Sequence, residues 1–197
     1  MTKHKSQDER RTQILDAAKQ CFIRNGYAST RVDDIANEAS LSKGGVYFHF
    51  KSKRAILDAL YEQQRAETAA VVAAVGDGSQ DPTERLMLLA TNLLTHFSRA
   101  EDQRKFLIVL AEMGIRDPEL HQAVRDSHDK YVAALKDNIQ HGVDSGSFRS
   151  VDALQTAVML KMLVDGIEQA LALGYDIDVP SLLGTGLDII MNGLLPD

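Results

Sequence analysis

Between Thr30 and Arg54 the sequence TRVDDIANEASLSKGGVYFHFKSKR gathers Arg31, Ser42, Lys43, Tyr47, His49, Lys51, Lys53 and Arg54, all able to donate hydrogen bonds to phosphate oxygens. Donors at this density suit a phosphodiester backbone, where each neutralised phosphate releases condensed counterions. Apolar residues between them recur at helical spacing. Ile35 and Ala36 anchor one short helix, and Leu41 and Val46 can pack a turn and a second short helix against it. Two such helices joined by a tight turn form a helix-turn-helix, whose second helix enters the major groove of duplex DNA. The adjacent aromatics divide: Tyr47 is expected at the groove, with Phe48 and Phe50 assigned to packing.

No competing chemistry stands out. The chain has no phosphate-cradling glycine loop, nucleophile elbow or paired-carboxylate motif, so an enzyme is not expected and no cofactor is implied. Asp117, Glu119, His121, Asp126, His128 and Asp129 cluster along one segment. No cysteine joins them and their spacing matches no recognised ligand set, so a hydrated polar face is expected there and no metal site.

The elements that must carry these residues read as helices throughout. Only four prolines interrupt 197 residues, and the apolar content is 44%. The spacing predicts helices over 8–25, 31–39, 43–48 and 53–75, then 82–100, 102–114, 118–145, 152–173 and 181–195. Asn25-Gly26 closes the first, Thr30 is suited to cap the second, and Ser42 and Ser52 cap the third and fourth. GDGSQD at 76–81 is the clearest linker, and Pro82 suits a first helical turn. The fold class is therefore all-α. A three-helix head with the helix-turn-helix occupies 1–52, and a helical body occupies 53–197, entered by the long helix 53–75.

Charge separates the same two parts. Residues 1–60 hold 11 basic against 7 acidic residues, whereas 61–197 hold 11 against 21. A basic head on an acidic body fits a polyanionic partner for the head. Cys21 is the only cysteine and lies in an apolar helical pattern, so a buried small hydrophobe in a reducing compartment is expected. Met1 to Arg11 lacks the apolar core of a signal peptide, and charges such as Lys161 and Asp165 break the apolar stretches. These features point to the cytoplasm and away from a membrane.

The last two helices are apolar on more than one side, which calls for partners on more than one side. A homodimer bundle accounts for this excess, with Leu160, Val164, Ile167, Leu171, Leu183, Leu187, Ile190 and Leu194 as its expected interface.

The segment over about residues 10–60 resembles the DNA-binding domain of the TetR family of bacterial repressors. The resemblance rests on Asn25-Gly26-Tyr27, Thr30, Val32, Ile35-Ala36, Ala39, Ser42-Lys43-Gly44 and the run Tyr47-Phe48-His49-Phe50-Lys51-Ser52-Lys53. It implies that Thr30 and Arg31 touch the DNA backbone, that Tyr47, His49 and Lys53 clamp phosphates, and that Ser42, Lys43, Gly44 and Val46 lie nearest the base edges. Gly45 departs from the family, where many relatives carry a small side chain. Readout is therefore expected to lean on backbone approach, Lys43 and DNA shape.

The resemblance also implies a small-molecule cavity in the body, and release of double-stranded operator DNA on binding a small, largely apolar effector. Expected lining residues are Met87, Asn92, His96, Phe97, Phe106, Leu110, Met113, Tyr131, Met159, Met162, Asp165 and Gln169. Glu112 and Asp165 interrupt apolar stretches, which either an ion pair or a ligand contact would explain. The alternative reading is a structural or division-linked DNA-binding protein with no effector.

Overall fold

Ser6 starts the first helix with a reciprocal cap. Its hydroxyl accepts from Glu9 N at 3.2 Å, and the Glu9 carboxylate accepts from Ser6 N at 2.6 Å. The computed structural model of the chain describes residues 6–76, 81–97 and 101–195; the side chains at 68, 71, 72, 74–76, 94, 96 and 97 lie outside those described.

Among the described residues the elements are α1 (Gln7–Ser29), α2 (Val32–Glu38), α3 (Lys43–His49), α4 (Lys53–Gly76), α5 (Pro82–Phe97), α6 (Glu101–Arg116), α7 (Pro118–Asp144), α8 (Ala153–Ala172) and α9 (Val179–Leu194). The fold is all-α. Most boundaries follow the local signals. Ser42 Oγ accepts from Gly45 N at 3.1 Å and Ser52 Oγ from Ala55 N at 3.0 Å, opening α3 and α4. Asp117 caps α7 ahead of Pro118, and Asp152 caps α8. Gly26, at φ 73°, breaks α1 after Asn25 as expected, but a further turn follows it to Ser29.

Thr30 departs from expectation. It does not cap α2; its hydroxyl turns back to donate to Gly26 O at 2.8 Å and Cys21 O at 3.1 Å. Arg31 takes the position before α2, and its backbone N–H donates to Asp34 Oδ2 at 2.7 Å.

One apolar cluster holds the head and continues beyond it. Ile14, Ala18, Phe22, Ile35, Val46, Ile56 and Leu57 are fully enclosed, and Phe106, Val109, Leu110 and Leu120 of α6 and α7 belong to the same cluster. Cys21 is a buried member of it, and burial pushes its thiol above the usual range. The head thus rests on α6 through α1, reinforced by Lys19 to Gln103 at 3.0 Å and Gln20 to Asp102 at 2.7 Å. A second cluster joins α5, α7 and α8 around Leu93, Val132, Leu135, Ile139 and Ala157. A third seats Phe148 against Leu86, Met191 and Leu194. Gly142 is required there: a Cβ on it would lie 2.1 Å from the Phe148 ring. No described helix is long and apolar enough to cross a membrane.

Candidate nucleic-acid interface and ligand cavity

Helix α3 is seven residues long, so its faces follow from about 100° of rotation per residue. Val46 and Phe50 point inward and Gly44, Tyr47 and Phe48 point outward. Val46 is 0% exposed and packs α3 onto the head core, as its spacing reads, not at the base edges as the resemblance implied. Phe48 is corrected in the opposite sense. It is 74% exposed, about 200° around the helix from Val46, and stacks edge-on with His49 at 5.1 Å. Phe50 does pack, with the Arg11 guanidinium 4.3 Å from its ring centroid.

Among the expected phosphate donors, Arg31 and Tyr47 are exposed and His49 is half-buried. Lys43 extends from the first turn of α3 and pairs with Asp33 at 2.9 Å, both exposed. That hydrogen bond raises the Lys43 ammonium pKa above its usual range.

Two expected backbone contacts are committed elsewhere. Thr30 is 1% exposed, and its hydroxyl serves the end of α1. Lys53 donates to Tyr27 O at 2.6 Å, Thr30 O at 2.7 Å and Ala28 O at 3.3 Å, and its ammonium lies 4.3 Å from the Tyr27 ring centroid. The last carbonyls of α1 have no helical partners of their own, and a cation at a helix C-terminus is favoured by its partial negative charge. Lys53 therefore clasps α1 to the start of α4.

Arg54, the next residue, faces the body. Its guanidinium binds the Asp117 carboxylate and reaches Glu119 at 3.4 Å and Asp58 at 2.6 Å. Asp117 also accepts from Leu120 N at 3.0 Å and Glu119 N at 3.1 Å. The Leu120 N–H, with Arg54 beside it, holds this carboxyl below its ordinary range. Adjacent cations thus tie α4 to the head on one side and to α7 on the other. Sequence reading had left Arg54 as a phosphate donor or a solvated charge, because its partner lies 63 positions away.

Helices α4 to α8 line a half-open cavity of about 420 Å³. Leu110, Tyr131, Asp165 and Gln169 line it as expected. The other expected lining residues separate from it. Phe106 and Met113 belong to the packing between head and α6, Met87 is exposed on α5, and Asn92 is not in the wall. Met159 and Met162 stand half-exposed on α8 and are not in the wall. The side chains of His96 and Phe97 lie outside the described residues. Glu112 pairs with Arg116 on the surface of α6, at 3.5 Å.

The polar wall comes largely from residues not anticipated: Tyr61, Gln64 and Arg65 of α4, Arg104 of α6, Ser127 and His128 of α7, and Lys161 and Glu168 of α8. One signal was available, because Gln64 continues the apolar stripe of Leu57, Leu60 and Tyr61 and is itself buried. Gln64 Oε1 accepts from Gln103 Nε2 at 2.8 Å, and Gln103 also accepts from Lys19, so a hydrogen-bonded chain runs from cavity wall to α1. A second hollow, about 410 Å³, opens between α4 and α7 and shares Tyr61, Arg65, Ser127 and Tyr131 with the first.

The residues expected at a subunit interface mostly pack inside the chain. Leu160 and Leu194 are buried, and Val164, Ile167, Leu171, Leu183, Leu187 and Ile190 lean on the internal clusters, with Val164 also lining the cavity. Among the large apolar side chains, Leu154, Met159, Met162 and Leu163 of α8 and Leu182 and Ile189 of α9 are exposed. Gly166, Gly184 and Gly186 have open space where a Cβ would stand. Val164 lines the cavity and Met159 and Met162 do not, because periodicity does not say which apolar side faces the chain's own core.

The segment 14–60 matches the profile described as bacterial regulatory proteins, tetR family, and 79–168 matches the tetracyclin repressor-like C-terminal domain. The regulator YfiR of Bacillus subtilis is 32% identical over 82% of this chain and 80% of its own length. The regulator TtgR of Pseudomonas putida is 30% identical over 96% of this chain and 94% of its own. Among solved structures, a transcriptional regulator from Saccharomonospora viridis in complex with choline superposes with a TM-score of 0.80, at 26% identity, covering 96% of this chain and 100% of that one. With an exposed α3 surface carried on a buried three-helix core, and with these relatives spanning nearly its whole length, the chain belongs to the TetR family of bacterial transcriptional regulators and is a DNA-binding protein, not an enzyme.

Proposed function

We propose that the chain is a homodimeric repressor, working in the cytoplasm, whose hold on a palindromic operator is released by a small effector. Residues 1–52 act as the reading head and 53–197 as the effector and dimerisation body. The observation that carries this reading is the distribution of exposed apolar side chains: Met159, Met162, Leu163, Leu182 and Ile189 group on α8 and α9, at the end of the fold that a second copy would cover. Two copies joined there present two α3 helices, the arrangement that matches half-sites about one helical turn apart.

On each half-site Arg31, Tyr47 and His49 meet phosphates, and Ser42, Lys43, Gly44 and Phe48 face the groove. The two glycines of α3 are not demanded by packing. A Cβ on Gly44 would find only Ser42 Oγ, at 3.9 Å, and one on Gly45 would be in ordinary contact with Leu41 and close to Ser42 Oγ at 3.4 Å. Their bareness supports close approach of the helix backbone to the bases. Effector binding in the cavity is reciprocal with DNA binding, through α4 and the Lys53–Arg54 clasp, with a coupling of about 1–3 kcal/mol. The choline held by the Saccharomonospora viridis regulator supports a ligand-responsive reading.

Selection of duplexes from a random library, at fixed salt, tests the proposal. An inverted repeat is expected, and Lys43→Ala is expected to change the preferred half-site. Recovery of no repeat, or a protein that stays monomeric when dilute, would sink it.

A further inference from the structure

The walls of the cavity carry many charges, and most are paired within the chain, although Arg104 Nε is buried without an acceptor. Lys161 pairs with Asp165, Arg65 pairs with Glu62 at 2.7 Å, and Arg104 and Glu168 each make a polar or ionic contact of their own. A ligand bearing net charge would have to compete with one of these pairs or leave its own charge largely uncompensated, and both are unfavourable.

Tyr131 is the uncharged group of this wall that lacks a partner. It lines the cavity, is 5% exposed, and its hydroxyl has no hydrogen-bond partner. Burial, with the carboxylates of Glu168 and Asp165 nearby, raises the phenol pKa above its usual range and keeps the proton on it. A buried neutral hydroxyl with no partner in the chain favours a bound group that completes its hydrogen bond over one that cannot. The apolar remainder of the wall, Leu93, Leu107, Ile108, Leu110, Val124 and Val164, suits a hydrocarbon body.

We infer that the effector is an uncharged amphipathic molecule, with an apolar body and at least one hydroxyl or carbonyl that bonds the Tyr131 hydroxyl. This rests on the effector-cavity reading above and specifies its chemistry.

Calorimetric titration with four probes of one shape tests it: 2-naphthol, naphthalene, 2-naphthoate and 2-naphthylmethylammonium. With the unaltered protein 2-naphthol is expected to bind tightest, and both ions about tenfold more weakly or worse. Tyr131→Phe is expected to weaken 2-naphthol about five- to tenfold, leave naphthalene unchanged, and not lower the melting temperature of the free protein. An ion that matches 2-naphthol, or a Tyr131→Phe protein that binds 2-naphthol undiminished, overturns the inference and leaves the cavity reading standing. Ala111→Trp, at an exposed position on the cavity wall, is expected to block all four probes. Binding that survives Ala111→Trp places the probes elsewhere, and binding by none of the four removes the cavity as a site; both overturn the cavity reading together with the inference.

Discussion

The three-helix head and the α8–α9 pair handle apolar surface in opposite ways. In the head, Ile14, Phe22, Ile35, Val46, Ile56 and Leu57 are fully enclosed, and Thr30 and Lys53 satisfy the loose carbonyls of α1. In the α8–α9 pair, Met159, Met162, Leu163 and Ile189 stay half-exposed or more, and four glycines face open space. A region that completes its own core can be held rigid against DNA. A region that does not is open to completion by something else, in the proposed reading a second copy.

The sharpest way to break this comparison is to empty the head. Phe22→Ala is expected to cost about 3–5 kcal/mol, read by chemical denaturation, and to abolish DNA binding. A smaller loss would mean that the head core is less tightly knit than its burial implies. The matching test at the other end is Ile189→Asp. Ile189 is 66% exposed, so the charge should leave helix content unchanged by circular dichroism while sedimentation shows monomers. Unfolding of the chain would show that this face is part of its own core.

Gly142→Ala probes the body where it is tight: the added methyl meets the Phe148 ring, and a loss of about 1–3 kcal/mol is expected. Gly44→Ala probes the head where it is open. Stability should rise by about 0.5–1 kcal/mol while half-site preference changes, because the glycine serves the groove and not the fold. The smallest effect belongs to the clasp between the two regions. The Asp117 carboxyl sits below its ordinary range, so its contribution is present at neutral pH and lost as the pH falls through that lowered value. Arg54→Ala should flatten that part of the acid-unfolding profile and weaken effector-driven release of DNA, with binding of either partner alone little changed.

Much of the head was legible because its signals are local. Ser42 and Ser52 cap the helices that follow them, Gly26 takes the left-handed turn, and Ile35, Ala36 and Phe50 pack as their spacing requires. Val46 also packs as its spacing reads, against what the resemblance implied, whereas Phe48 was not legible, since a seven-residue helix holds too few turns for periodicity to fix every face. Lys53 and Thr30 were misplaced for another reason. Their partners are backbone carbonyls at a corner whose geometry exists only once α1 and α4 have met.

Order and type of helices, the basic head and the apolar excess of the last two helices were determined by residues acting within a few turns of themselves. Which face of α8 turns toward the cavity, and which toward open space, was decided only by packing. Val164 lines the cavity and Met159 and Met162 do not, although all three fit the same helical pattern. The cavity itself is assembled from five helices spread over more than a hundred residues, and its one unsatisfied hydroxyl, at Tyr131, has meaning only in that enclosure. Local sequence sets propensity and pattern; the partners of a buried polar group are set by the whole chain.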